Sequence, residues 1–314
     1  MKNIKLKPEF VKRYSEITDF DVFMDYSLKF LRRSIRVNTI KMSVNKLKQR
    51  LEDKGWQLEP IKWCEQGFFV EHNKSRIDIG NLVEHSLGYF YVQEASSMIP
   101  PIVMRKLSDL SNKLVLDMCA APGSKTTQIA MYMQNTGMLI ANDYLVPRLK
   151  PLGLNIQRAG ITNTIITLMP GQLFKTKPLK FDAILVDAPC SATGAIRKSL
   201  KTLEVWNPNM VKRLARIQKQ LLESAYLCLK PGGVVVYSTC TLEPEENEGV
   251  VSYLLDKYDH AKVEKVNITG LKTSKPLLEF GGITYNPNVA KTIRIWPQDN
   301  DTQGFFIAAI RKRL

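Results

Sequence analysis

The stretch LVLDMCAAPGSKTTQ, residues 114–128, decides the fold. A short apolar run with strand pattern ends on Asp117, small residues with Pro122 and Gly123 make a tight turn, and Ser124 opens a helix. Strand, turn and helix N-terminus in this order are the first half of a nucleotide-binding unit. Backbone N–H groups at such a turn attract an anionic ligand group, and Ala120, Ala121 and Gly123 let a ligand approach the main chain. A single glycine makes it a poor dinucleotide fingerprint, which needs three at fixed spacing. Twenty residues after Gly123, Asp143 stands at the end of the next apolar run, where a carboxylate can accept hydrogen bonds from both hydroxyls of a ribose. The whole unit points to a nucleoside ligand, whereas Asp143 alone would read as an ordinary helix cap.

Working outward, strand-like runs alternate with helical stretches: KLVLD, GMLIAND, NTIITLM, FDAILVD and GGVVVYSTC. That alternation predicts an α/β domain with a mostly parallel sheet covered by helices on both faces. KTIRIWP and GFFIAAIRK are joined by a link too short for a parallel crossover, so they are expected to pair antiparallel at the sheet's edge. Asn207 as N-cap and Pro208 start a long helix, which places Val211, Leu214, Leu221, Ala225 and Cys228 on its buried stripe. Lys212, Arg213, Arg216 and Lys219 fall mostly off that stripe, as a solvated face. Before Leu87 the pattern changes. Helical stretches near Lys7 to Tyr14 and Phe20 to Leu31, a strand-like SIRVNTIK, a helix from Ser43 that stops at Gly55 and a strand-like GFFVE predict a small α+β domain. We therefore divide the chain into an N-terminal domain, 1–86, and a larger domain, 87–314.

The formal net charge is +15 over 314 residues, an excess that steers polyanions toward the surface and makes nucleic acid a candidate partner. No apolar run approaches the ~20 residues of a membrane span, and the first twenty residues carry many charges, so a cytoplasmic protein is expected. Cys64, Cys119, Cys190, Cys228 and Cys240 form an odd set without Cys-x-x-Cys spacing, which argues against a disulfide framework and against a metal site.

Two of these thiols sit where chemistry happens. Cys190, in Asp187-Ala188-Pro189-Cys190-Ser191, and Cys240, in Ser238-Thr239-Cys240-Thr241, each follow the C-terminal end of a predicted parallel strand, and ligands of open α/β sheets bind outside those ends. Cys228 reads as core packing and Cys64 has no chemical context. Carbon 5 of cytosine accepts a methyl cation equivalent only after a nucleophile adds to carbon 6, and a thiolate suits that addition. Asp187 can hydrogen-bond ring nitrogen 3 and the exocyclic amine, and a second thiol can serve as or assist the base that takes the carbon 5 proton. Two cysteines and one acid cover the steps.

At these residues the chain closely resembles the Nol/Nop/Sun family of RNA 5-cytosine methyltransferases. The likeness runs from RVNTIK at Arg36 through YVQEASSMIPP at Tyr91, DMCAAPGSKT at Asp117, DAPCSATGAIRK at Asp187 and YSTCTLEPEENE at Tyr237 to QGFFIAAIRK at Gln303. It implies a Rossmann-like methyltransferase using S-adenosyl-L-methionine, with Cys240 as nucleophile, Cys190 assisting release, and Asp187 contacting the base. It also implies that Cys119, Ala120, Ala121, Pro122, Gly123, Ser124 and Lys125 hold the methionine part of the cofactor and Asp143 its ribose. Arg148 resembles the basic residue that follows this acid, and Lys125 is a candidate for orienting groups at the site. Three departures stand out. Leu168-Met169-Pro170-Gly171 lacks the family's acid near the adenine, Ala192 replaces a glycine after Cys-Ser, and Gln298 follows Pro297 where a histidine is common.

The expected substrate is structured RNA, with tRNA ahead of ribosomal RNA, because the chain carries no recognisable additional RNA-binding module and suits a compact substrate. Arg32, Arg33 and Arg36 are expected to give the N-terminal domain a surface that grips folded RNA. A monomer is expected. Two rivals are a non-catalytic RNA-binding or ribosome-assembly factor, which could dispense with one thiol or the cofactor loop, and a DNA cytosine methyltransferase, whose nucleophile usually follows proline as Cys190 does.

Overall fold

The computed structural model describes residues 6–74 and 78–313. The N-terminal part contains helices α1 (Pro8–Ser15), α2 (Phe20–Leu28), α3 (Val44–Glu52) and α4 (Val83–Ser86), with strands β1 (Ser34–Val37), β2 (Trp56–Pro60), β3 (Gly67–His72) and β4 (Phe90–Val92). These strands form an antiparallel sheet in the order β2-β3-β1-β4. Its apolar face packs on Leu47 and Leu51 of α3, residues four apart on one helical stripe. Ser43 is the N-cap of α3, and Gly55 follows its end with φ 84, a left-handed conformation that favours glycine.

The larger part contains α5 (Ile99–Leu107), β5 (Leu114–Asp117), α6 (Ser124–Met133), β6 (Met138–Asp143), α7 (Val146–Ala159), β7 (Thr164–Leu168), β8 (Phe181–Asp187), α8 (Lys201–Val205), α9 (Pro208–Leu227), β9 (Leu229–Thr239), α10 (Glu248–Lys257) and β10 (Ala261–Val263). A short hairpin, β11 (Glu279–Phe280) and β12 (Ile283–Thr284), precedes β13 (Ile293–Ile295) and β14 (Phe305–Lys312). The main sheet runs β10-β14-β9-β8-β5-β6-β7, and β5 to β9 pair in parallel. Alternate residues of each strand serve opposite faces. Val115, Leu139, Leu185 and Val236 meet α5, α6 and α7, whereas Leu116, Ile140, Val186 and Tyr237 meet α9 and α10.

Two sequence expectations need correction, the edge position of β14 and the exposure of Arg36. Strand β14 pairs antiparallel with β13 as expected, but it lies inside the sheet because β9 flanks it on one side and both β10 and β13 on the other. Contacts cross the division after residue 86 from both sides. Strand β4 lies beyond it yet pairs with β1, and α1 and α2 lie before it yet pack Phe10, Tyr14 and Phe23 on Trp206, Leu242 and Trp296 of the larger part. Arg36 does not offer itself to RNA either. It is 1% exposed and donates to Ser124 O at 2.8 Å and Thr127 Oγ1 at 2.9 Å, with Gln93 and Gln128 as further acceptors, so it ties β1 to the first turn of α6.

Candidate active site

The sheet reverses its winding at β5, which has β6 on one side and β8 on the other, and the crevice at this switch point is where open α/β sheets hold ligands. A cavity of about 460 Å³ opens there. Its wall brings together Cys119, Ala121, Asp143, Arg148, Asp187, Cys190 and Cys240, seven of the residues singled out from sequence. Ala120, Pro122, Gly123, Ser124 and Lys125 stand behind that wall. Gly123 caps α6 with φ 108, Ala120 donates to Asn142 O, and the Pro122 carbonyl accepts from Asn155, so this half of the loop builds the turn rather than lines it.

Asp143 is fixed before any ligand arrives. Oδ2 accepts from the Ala121 N–H at 3.2 Å and faces Arg148 Nη1 at 3.2 Å, while Oδ1 accepts from the Leu145 N–H at 3.2 Å. Arg148 also donates to the Ala121 carbonyl. The carboxylate keeps lone pairs toward the cavity, as ribose recognition requires. Leu214, Ile217 and Leu221 of α9, with Met118 and Pro170, supply apolar surface for a flat base. Leu214 thus belongs to the ligand wall rather than to the core stripe of α9. A Cβ on Gly171 would come within 2.7 Å of Leu221 and 2.8 Å of Met118, so a larger residue here would push both side chains aside. No acid stands at Pro170; the polar side chain here is Gln172.

The two thiols meet at the other end, with Sγ atoms 3.3 Å apart. Lys125, 8% exposed, reaches Asp187 Oδ2 at 2.8 Å and Ser97 Oγ at 2.9 Å, and Ser238 Oγ donates to Asp187 Oδ1 at 2.8 Å. Although burial acts to lower it, the Asp187 carboxylate holds the Lys125 ammonium above the ordinary lysine value. The hydrogen bond donated by Cys190 lowers Cys240 below an ordinary thiol, and the Lys125 charge acts in the same direction against burial. Cys190 is pushed up by donating that bond and by burial. Burial, with Asp117, Asp187 and Asp143 around it, pushes Cys119 well up, so Cys119 stays a thiol. At this separation one thiol can donate to the other and hold it as an anion.

Sequence reasoning missed several residues here. Gln218 and Glu246 are fully buried beside Cys190, and Ser191, Thr193 and Thr241 join their hydroxyls at 2.7 and 2.9 Å across the two thiol loops. No helix of the described residues is long and apolar enough to cross a membrane. Among the described residues no group of His, Cys, Asp and Glu is placed to hold a metal.

A strand-end crevice that places a buried carboxylate beside a thiol pair has the groups a nucleoside-dependent transferase needs, and comparison with known proteins gives the class. Residues 104–311 match the family described as 16S rRNA methyltransferase RsmB/F, and residues 6–95 match the N-terminal domain of 16S rRNA methyltransferase RsmF. The chain is 48% identical to tRNA (cytosine(49)-C(5))-methyltransferase of Pyrococcus abyssi over 98% of this chain and 97% of that one. It is 43% identical to ribosomal RNA small subunit methyltransferase F of Vibrio parahaemolyticus, over 99% of this chain but 64% of that enzyme. Among solved structures, a methyltransferase homolog protein from Pyrococcus horikoshii aligns with TM-score 0.82 at 33% identity, covering 98% of this chain and 100% of that one. NSun6 from the same organism with SFG aligns with TM-score 0.82 at 25% identity and covers 98% of each chain.

The chain belongs to the RsmB/F methyltransferase family. It has the Rossmann-like fold of those enzymes and is an S-adenosylmethionine-dependent RNA methyltransferase.

Proposed function

We propose that the enzyme methylates carbon 5 of a cytosine in tRNA, with Cys240 as the attacking thiolate and Cys190 serving release. The observation that carries this reading is the 3.3 Å thiol pair at two strand ends, set in the same cavity wall as Asp143 and Asp187. The cavity suits S-adenosylmethionine: Asp143 with Arg148 would hold its ribose, the apolar wall from α9 its base, and Cys119 and Ala121 its amino-acid end. Bound there, the cofactor supplies an electrophilic methyl group.

The protein's own groups carry the other steps. Cys240 thiolate adds to carbon 6, and Asp187, held by Lys125 and Ser238, faces the ring nitrogen and amine where charge shifts. The addition makes carbon 5 electron-rich enough to take the methyl group. Release then needs the carbon 5 proton to go to a base, whereupon the C–H electrons re-form the 5,6 double bond and the bond to Cys240 sulfur breaks. Cys190 is within van der Waals reach of that sulfur. The target base must leave its stack to enter the cavity, at a cost of a few kcal/mol that contacts from the +15 chain to RNA offset.

The tRNA preference rests on the relative that is similar over its full length, whereas the chain spans 64% of the ribosomal RNA enzyme. Purified protein is incubated with tRNA or ribosomal RNA and labelled S-adenosylmethionine, and the sites are located by bisulfite sequencing. Label is expected in tRNA cytosines. Cys240→Ala should form no covalent adduct, and Cys190→Ala should accumulate protein bound to RNA on denaturing gels. Label confined to ribosomal RNA would overturn the substrate, and adduct in Cys240→Ala alone would reverse the two thiols.

A further inference from the structure

Consecutive residues hold the two thiol loops. Gln218 Nε2 donates to the Pro189 carbonyl at 2.8 Å and to Glu246 Oε2 at 2.7 Å, and Glu246 Oε2 also accepts from the Ser191 N–H at 3.0 Å. Pro189 and Ser191 flank Cys190, so Gln218 and Glu246 grip its turn from both sides. Both groups that Gln218 faces are acceptors, which settles its amide with the nitrogen inward. Next in sequence, Asn247 Nδ2 donates to the Thr241 carbonyl at 2.9 Å, and Asn247 Oδ1 accepts from Thr239 Oγ1 at 2.6 Å. Thr239 and Thr241 flank Cys240. Gln218, Glu246 and Asn247 are all fully buried, and none lines the cavity.

We propose that these are positioning residues that set the two thiols separately, Gln218 with Glu246 setting Cys190 and Asn247 setting Cys240. The assignment of steps rests on the proposed roles of the thiols. On that reading Cys190, whose S–H proton passes to solvent once Cys240 is bonded to carbon 6 and no longer accepts it, takes the carbon 5 proton as a thiolate, the C–H electron pair becomes the 5,6 double bond, and Cys240 leaves carbon 6 as a thiolate. A displaced Cys190 slows that step more than the attack, because the Lys125 charge still favours the Cys240 thiolate, and a displaced Cys240 slows the attack. A shift of about 1 Å at a reacting group costs about 100-fold in rate, so such displacements are measurable.

The test compares Gln218→Met, Glu246→Gln and Asn247→Ala with Cys190→Ala and Cys240→Ala in single-turnover assays that follow adduct formation and adduct loss separately. Gln218→Met should slow adduct loss about 10-fold or more and Glu246→Gln, which keeps one acceptor, less than that, with adduct formation within about 3-fold of the parent in both. Asn247→Ala should slow adduct formation about 10-fold or more and accumulate no adduct. Added to Cys190→Ala, Gln218→Met should deepen the release defect little. Glu246→Gln keeps the shape and one acceptor, so it carries the test where a harsher change unfolds the chain.

The comparison separates the two ideas. Were Cys190→Ala to block attack instead of release, the thiol roles would be reversed, yet Gln218→Met should still copy Cys190→Ala and Asn247→Ala still copy Cys240→Ala. Variants that slow both steps in proportion, or that fail to copy their own cysteine, would overturn the proposal.

Discussion

The Lys125 ammonium lies 2.8 Å from Asp187 Oδ2 and is 8% exposed, so a residue that could have been a solvated helix-start lysine is instead the buried cation of the active site. Its charge has two uses. It holds the Asp187 carboxylate in place, and it joins the hydrogen bond from Cys190 in lowering the Cys240 thiol.

Replacing Lys125 with methionine keeps the length of the side chain and removes the charge. With the cation gone, the Cys240 thiolate loses a stabilising partner and its pKa rises, so the fraction of reactive anion at neutral pH falls. The alkaline-rising limb of adduct formation should move up by about one pH unit, with activity recovering near pH 9. A limb that stays in place would show that the bond from Cys190 lowers Cys240 without help. The measurement is the pH profile of single-turnover adduct formation.

Ala192 carries φ 58, the left-handed region, directly after the Cys190–Ser191 turn. A Cβ costs about 1–2 kcal/mol there, and glycine avoids that cost while giving back about 0.5–1 kcal/mol through its freer unfolded chain. Ala192→Gly should therefore raise stability by up to about 1 kcal/mol, read as a higher denaturant midpoint at unchanged slope. A lower midpoint would show that the Ala192 methyl group packs well enough to outweigh the strain.

The Rossmann-like unit was legible because each of its strands leaves a mark of its own. Val115 and Leu116 face opposite helix layers, as do Leu139 and Ile140, so each central strand is apolar throughout and bounded by turn residues. The thiols and Asp143 were legible because they sit at strand ends. The supporting groups were not, since their roles depend on loops that meet only in three dimensions. Gln218 did leave a signal: Val211, Ala215, Leu222 and Ala225 leave one place open on the buried stripe of α9, and Gln218 fills it. A polar residue at an apolar position of a helix marks a buried partner, here Pro189 and Glu246. The packing of α1 and α2 left no local mark because their apolar partners, Trp206 and Trp296, lie some two hundred residues away or more.

Asp117 sits wholly buried at the foot of the cofactor loop. Burial, eased only in part by the hydroxyl of Thr126, raises its carboxyl from 3.8 to about 7. Between those values the folded protein binds a proton that the unfolded chain has lost, so stability falls as pH rises from about 4 to about 7 and is level above that. Glu246, raised to about 7 by burial, adds a slope of the same sign. Asp117→Asn keeps an oxygen for Thr126 and removes the proton linkage, worth at most about 4 kcal/mol across the window. The variant should gain on the parent as pH rises from 5 to 7 in denaturant titrations. Parallel stability curves would mean that Asp117 is ionised in the folded protein.

Arg36 and Arg33, read together from sequence as RNA contacts, part company in the structure. Arg33 has a 47% exposed side chain whose partner Asp78 is itself 57% exposed, and such surface pairs are worth about 0–1 kcal/mol, so the arginine is free to exchange it for a phosphate. Arg36 is buried and spends its donors on Gln93, Ser124, Thr127 and Gln128. Each phosphate neutralised releases counterions and adds about 0.7–0.9 to the slope of log affinity against log salt. Arg33→Ala should therefore lower that slope and weaken RNA binding without lowering the melting temperature. Arg36→Met should leave the slope untouched and destabilise the fold by about 2–3 kcal/mol, because the carbonyl of Ser124 and its neighbours are left without a donor. Since Ser124 begins α6 behind the cofactor cavity, the same variant should also bind S-adenosylhomocysteine more weakly. Fluorescence titrations of RNA at several salt concentrations, with calorimetry for the cofactor product, read all three effects. A reduced salt slope in Arg36→Met would mean that this guanidinium leaves the core to meet the RNA.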